Sequence, residues 1–260
     1  THAKTNFVLA SLLTLSGILM TIDVSAKVLL FDDFESKLDW KKWEGNKWNP
    51  KDWKKHVYPK DGVLYLNQKK SGSDYVALSS IQKFTECIIY WEWIMIEWTG
   101  GGDCGGALRQ NGDKANYWIR WNQGNCACVR LANSNDNWAI FNAKDGLCQV
   151  PYDTKSKRFV LKAAVLPRKQ RTALYIWDVT KEAESEQIAK WEIQDDSVPQ
   201  GNISLDNWKY GIVGADNVLV TTPEHEAQIF APDFNPQSLT VQAAGKLPIT
   251  WGFLKSEIKK

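Results

Sequence analysis

Apolar and β-prone residues in this chain recur in short runs bounded by polar turn residues, the pattern of β-strands. Such runs occupy residues 27–32 (KVLLFD), 62–67 (GVLYLN), 74–80, 84–98, 115–122, 126–132, 137–142, 158–166, 172–179, 187–194, 202–205 and 208–221. Turn chemistry separates them, including Asp61-Gly62, Gly100-Gly101-Gly102, Asn111-Gly112, Gly124-Asn125 and Asp145-Gly146. Beyond the N-terminus, residues 180–190 (TKEAESEQIAK) are the one helix-like stretch, and it is brief. Many short strands at fairly even spacing predict an all-β fold, a sandwich or barrel, and exclude a parallel α/β fold. No sequence period of 20–50 residues repeats, which removes propellers and solenoids.

The two ends depart from this pattern. Residues 6–22 (NFVLASLLTLSGILMTI) are apolar, follow Lys4 and lead to small residues at Val24 and Ala26. They predict a signal segment over residues 1–26, cleaved after Ala26, which leaves a secreted chain beginning at Lys27. A retained anchor helix is the competing reading, for which the run is short against a ~30 Å hydrocarbon core. No later stretch approaches that length, so no membrane contact is expected after cleavage. Residues 231–247 are richer in Pro, Asn, Gln and Ser, and a lysine-rich end follows. The spacing therefore predicts one domain over residues 27–232, with 233–260 as linker and tail.

Charge removes one class of partner. With 32 basic and 30 acidic residues in 260, no strong overall field exists to hold a nucleic-acid backbone, and nucleic-acid binding is not expected. Three histidines, far apart, exclude a paired-histidine zinc motif. Cys87, Cys104, Cys126, Cys128 and Cys148 include no C-x-x-C pair, and an odd number leaves at least one thiol unpaired in a monomer. The unusual quantity is 14 tryptophans. So many rings are costly on a surface unless their faces are used, and stacking on sugars is one such use.

A family pattern runs through the strands. Phe31-Asp32-Asp33-Phe34-Glu35 opens it, followed by a Trp-rich stretch and Asp61-Gly62-Val63-Leu64-Tyr65-Leu66. Phe84 then leads a long strand, with Gly105-Gly106-Ala107-Leu108-Arg109 and Tyr117-Trp118-Ile119-Arg120 after it. Arg158-Phe159-Val160-Leu161-Lys162, Leu174-Tyr175-Ile176, Pro199-Gln200-Gly201-Asn202-Ile203, Gly211-Ile212 and Asp216-Asn217-Val218 complete the order. Over residues 28–221 this resembles the concanavalin A-like lectin/glucanase superfamily, with laminin-G-like and 3-keto-disaccharide hydrolase-type jelly rolls nearest in pattern. The resemblance implies two antiparallel sheets face to face, one of them curved, with ligands on its concave face. It implies no single function, since the fold hosts lectins, glycosidases and structural modules.

Four groups of residues carry candidate chemistry. Glu92-Trp-Ile-Met-Ile-Glu97 keeps the outer spacing of the E-x-D-x-x-E motif of laminarinase-type relatives, but Ile94 stands where the aspartate would be. In a regular strand Glu92 and Glu97 fall on opposite faces, and only a bulge would join them as a catalytic pair. Trp98, Arg109, Tyr117, Trp118, Arg120 and Trp121 form an aromatic and cationic group suited to sugar hydroxyls or a uronic acid. On strand 115–122, Trp118 and Arg120 share one face, while Tyr117, Ile119 and Trp121 share the other; which face is core stays open. Trp40, Trp43, Trp48 and Trp53 lie among lysines and read either as plugs over the sandwich end or as a surface for an acidic polysaccharide. The resemblance also implies a structural calcium, for which Asp33 and Asp216, with Asp32 and Glu35 nearby, are the candidate ligands.

The expected function is a secreted, lectin-like jelly roll binding an extracellular polysaccharide or other glycan. Two rivals remain at this stage. One is a glycoside-cleaving enzyme of the 3-keto-disaccharide hydrolase type, which needs convergent carboxylates in a groove. The other is a structural or adhesive module whose ligand face is filled by its own side chains.

Overall fold

A computed structural model describes residues 27–68, 75–98, 103–111, 115–122, 127–133, 138–141, 158–166, 171–181, 186–193, 199–209 and 211–239. For Trp98, Asp103, residues 115–122, 127–133, 138–141, 171–172 and 186–193 the description is of the backbone. The signal segment and the tail beyond Leu239 lie outside the described residues, as do Cys126 and Cys148.

Among the described residues, fifteen strands build two antiparallel sheets. They are β1 (Val28–Asp32), β2 (Trp43–Gly45), β3 (Val57–Lys60), β4 (Val63–Asn67), β5 (Tyr75–Ser80), β6 (Cys87–Trp98), β7 (Asp103–Gln110) and β8 (Ala115–Asn122). The rest are β9 (Ala127–Asn133), β10 (Trp138–Phe141), β11 (Arg158–Leu166), β12 (Arg171–Asp178), β13 (Glu186–Ile193), β14 (Asn202–Trp208) and β15 (Gly211–Thr221). The first sheet runs β13-β12-β11-β6-β15-β4-β3, with β1 also paired to β15; the second runs β10-β9-β8-β7-β14-β5-β2. The two-sheet sandwich expected from the sequence is therefore present. The helix-like stretch 180–190 is not a helix where described: residues 186–193 pair with β12, because neighbouring strands satisfy backbone groups that so short a helix would leave open.

Alternation sets the main core. From β6, Cys87, Ile89, Trp91, Trp93 and Met95 point inward, and they meet Cys104 and Leu108 of β7 and Ile203 and Leu205 of β14. Strand β7 carries little side chain here because Trp91 needs the room. A Cβ on Gly106 would approach the Trp91 ring to 3.1 Å and the Ser204 carbonyl to 2.3 Å. Both described thiols, Cys87 and Cys104, are buried and unbridged; burial pushes the Cys87 thiol up to about 12.

A second core covers the outer face of the first sheet. Ile88, Tyr90, Val160, Ala164, Leu166, Ala173 and Leu219 pack there against Ile229 and Leu239 from the segment after β15. That explains the continuous apolar run of β11, which is buried on both faces. Phe234 meets Tyr90 edge-on at 5.4 Å, Phe230 meets Tyr175 at 5.0 Å, and Lys162 Nζ donates to the Ala231 carbonyl at 2.6 Å. Residues 233–239, expected to begin a linker after residue 232, thus stay on the sheet as far as Leu239. Among the described residues no helix is long and apolar enough to cross a membrane.

Candidate functional site

The outer faces of the two sheets hold different chemistry. On the first sheet, β6 carries a bulge: Val213 pairs with Met95 but Ile212 pairs with Glu97, so Ile96 is the extra residue. Directly paired residues share a face, and Met95 and Val213 are core. The bulge therefore sets Glu97 on the outer face with Glu92, as the outer spacing of the pair requires. Ile94 stands between them.

Glu92 is held from three sides. Its Oε1 accepts from Tyr90 Oη at 2.9 Å and Asn217 Nδ2 at 3.0 Å, and its Oε2 pairs with Arg158 at 3.0 Å. Asp216 lies opposite Glu92 in register, 3.8 Å from the same guanidinium. Burial, with the adjacent Glu92 charge, pushes the Asp216 carboxyl up to about 7. Burial also pushes the Tyr90 hydroxyl upward. Beside this group a cavity of about 390 Å³ is lined by Tyr90, Glu92, Arg158, Lys162, Trp177 and Phe234, among others. The docked segment and Lys162 occupy its rim, with Lys162 Nζ lying 4.7 Å over the Trp177 ring. Burial lowers the Lys162 ammonium to about 8.

The acidic residues named as candidate calcium ligands make contacts with the protein's own groups. Asp32 Oδ1 accepts from the Phe34 amide at 3.0 Å, Asp32 Oδ2 accepts from Trp43 Nε1 at 2.7 Å, and Asp33 Oδ1 accepts from the Glu35 amide at 3.3 Å. These carboxylates shape the turn after β1. Asp216 faces Arg158 and is poised near neutrality, and its neighbour Asn217 sits at φ 48° in a bulge of β15. Calcium prefers six to eight oxygens, and among the described residues no three acidic, histidine or cysteine side chains converge as a metal group.

The second sheet's outer face is laid out by register. Arg120 pairs with Gly105 and Gly105 with Asp206; Trp118 pairs with Ala107 and Ala107 with Ser204. In register, Trp118 and Arg120 lie opposite Ala107 and Gly105, and Trp121 lies opposite the core residue Cys104. Strand β7 offers only Gly105 and Ala107 between them, which makes a low floor between β8 and β14. The described part of that floor is closed to solvent: Ala77, Ala107 and Asp206 have no exposed surface, and Ser204 has almost none.

Arg109 does not line this face. A bulge in β7 shifts the pairing from Ala107–Ser204 to Gln110–Asn202, and Arg109 is enclosed completely, at 0% exposure. The electrostatic influence of its guanidinium on the core thiol Cys87 places it near the interior. It cannot reach a surface ligand from there, contrary to the sequence expectation. Trp98 closes β6 opposite Gly211 on the first sheet, away from the strand-β8 residues with which the sequence grouped it.

The floor opens at one end, onto rings. Trp208 pairs with Tyr75 across β14 and β5, and Trp48 meets Tyr75 edge-on at 6.0 Å. Trp208 and Trp48 keep 41% and 42% of their surface exposed. The loop after β2 is fixed there because Asn49 acts as a strand residue. Its side-chain amide donates to the Ala77 carbonyl at 2.7 Å, and its side-chain oxygen accepts from the Ala77 amide at 2.8 Å. Further along the same edge Trp40, also exposed, meets Trp53 edge-on at 5.6 Å. Trp43, by contrast, is buried and plugs the core. The tryptophan-rich loop is therefore half plug and half surface. Trp208 and Tyr75 escaped the sequence reading, since only strand pairing joins them to Trp48.

No family model and no curated protein matches the sequence. Solved structures do match in fold. A structure reported with the endo-acting O-glycanases that gut bacteria use to initiate mucin breakdown aligns at TM-score 0.56 and 15% identity, over 75% of this chain and 98% of that one. LamA of Zobellia galactanivorans, in complex with laminaritriose and laminaritetraose, aligns at 0.52 and 13%, over 75% and 98%. A glycosyl hydrolase family 16 protein of Mycobacterium smegmatis aligns at 0.52 and 15%, over 75% and 100%. The fold is a concanavalin A-like jelly roll. At such identities the likeness is one of architecture, so the chemistry of this jelly roll is argued from its own side chains.

Proposed function

We propose that this jelly roll is a secreted carbohydrate-binding protein that seats a glycan on the second sheet's outer face, against Trp48, Tyr75 and Trp208. One observation carries the reading: strand pairing and the Asn49 clamp bring three rings from separate segments together, and two of them stay about 40% exposed. Rings held rigid and bare cost solvation unless a ligand covers them, and the C–H face of a sugar ring is a fitting cover. The fold neighbours described above, which include glycanases, support carbohydrate as the ligand class.

The glycosidase alternative has its own observation, the bulge that puts Glu92 and Glu97 on one face. Against it, Ile94 supplies no carboxylate between them, and Glu92 is committed to Tyr90, Asn217 and Arg158. Binding without cleavage is the better-supported reading. Trp48→Ala and Trp208→Ala should each weaken glycan binding at least tenfold while leaving the melting temperature within a few degrees. Normal binding by both folded variants, or hydrolysis abolished by Glu92→Gln, would contradict it.

A further inference from the structure

The lysines of the tryptophan-rich loop have no part in seating a neutral sugar ring. Between residues 37 and 60 the chain holds eight lysines against three acidic residues, a local net of +5, while the whole protein carries only +2. Seven of these lysines are exposed; the eighth, Lys42, is half-buried and donates its Nζ to the Phe31 carbonyl at 2.9 Å. The excess is thus displayed on one segment, which is the segment that carries Trp40 and Trp48.

Rings and cations are also paired one to one. Lys54 Nζ lies 4.6 Å over Trp40, Lys47 Nζ lies 4.9 Å over Trp48, and Lys209 Nζ lies 5.0 Å over Trp208. These three tryptophans are the ones left exposed among the described residues. The loop runs along the β2–β5 edge of the second sheet: Gly45 pairs with Leu78, Asn49 clamps Ala77, and Trp48 reaches Tyr75. The Trp53 ring packs so close to Gly45 that a Cβ there would clash at 2.4 Å, which holds Trp40 and Lys54 to the same edge.

We propose that this edge selects an anionic polysaccharide, one whose pyranose rings carry a carboxylate or sulfate at regular intervals. The inference rests on the glycan-binding reading above and adds the ligand's charge. Each ammonium over a ring supplies a point charge for the sugar's anion, and the exposed part of the ring supplies apolar surface for the sugar itself. Lysine suits this better than arginine would, because its flexible stem tolerates variable anion placement without a bidentate fork. The three ammoniums gathered over these rings also steer a polyanion to this edge.

The test is affinity electrophoresis of the purified full chain in gels containing polygalacturonate, dextran sulfate, neutral laminarin or a single-stranded oligonucleotide. The expected result is retardation by one or both anionic polysaccharides at least tenfold stronger than by laminarin, lost at high salt. The triple variant Lys47→Gln, Lys54→Gln, Lys209→Gln should lose that preference while keeping its melting temperature and any residual laminarin binding. Equal binding of laminarin and polyanions, unaffected by the triple variant, overturns this inference and leaves the glycan-binding reading standing. Retardation by no polysaccharide overturns both. Stronger binding to the oligonucleotide than to either polyanion overturns the assignment to a glycan.

Discussion

Asp216 shows how one residue's surroundings set a measurable property. Its carboxyl lies between strands, opposite Glu92, and burial with that neighbouring charge raises it from 3.8 to about 7. A carboxyl whose folded value is raised binds its proton more tightly in the native state. The contribution of Asp216 to native stability is therefore full below about pH 4 and declines as pH climbs through the interval up to about 7. Asp216→Asn should remove that decline, a change on the order of 2 kcal/mol between pH 5 and 8, read by denaturant unfolding at several pH values. A variant whose stability follows pH as the parent does would show that Asp216 is solvated. Residue-scale burial was largely beyond the sequence. Arg109 looked like a surface cation because strand alternation alone does not reveal the β7 bulge.

At the scale of elements, strands rich in apolar and β-prone residues were legible almost to their ends; 115–122 and 158–166 match β8 and β11 in both boundaries. The strand that escaped was β7, at the centre of the second sheet. Its sequence DCGGALRQ carries Gly106, against which the Trp91 ring packs, and so lacks the run of β-prone side chains that marks the other strands. The short β2 and β3 were missed because a Trp-Lys loop and a proline interrupt their pattern. Residues 233–239 were read as linker because their polar spacers dilute Phe234 and Leu239, both of which reach the sheet. Leu239→Ala measures that docking. With the side chain almost wholly buried, truncation should cost ~2–4 kcal/mol, seen as a lower denaturant midpoint at unchanged slope. A loss below ~0.5 kcal/mol is what a solvated linker residue would give, and would contradict the packing described.

Across the whole molecule, the two sheets divide their labour. The first sheet closes its outer face with the chain's own segment and neutralises its carboxylates with Arg158. The second keeps Trp48 and Trp208 about 40% exposed at one end, each with a lysine ammonium over its ring. The fold class was readable from periodicity, and the excess of tryptophan pointed toward sugar stacking, but the position of the stack was not readable. It depends on β5, β14 and the Asn49 clamp coming together, a relation that exists only in three dimensions. The measurement that tests the central claim most directly is hydroxyl-radical footprinting with and without a saturating polysaccharide. Trp48, Tyr75 and Trp208 should lose most of their oxidation when the ligand is present, while the half-buried Trp177 beside Glu92 on the other sheet stays unchanged. Protection of Trp177 and Tyr90, with Trp48 and Trp208 oxidised as before, would place the glycan in the first sheet's cavity and contradict this account.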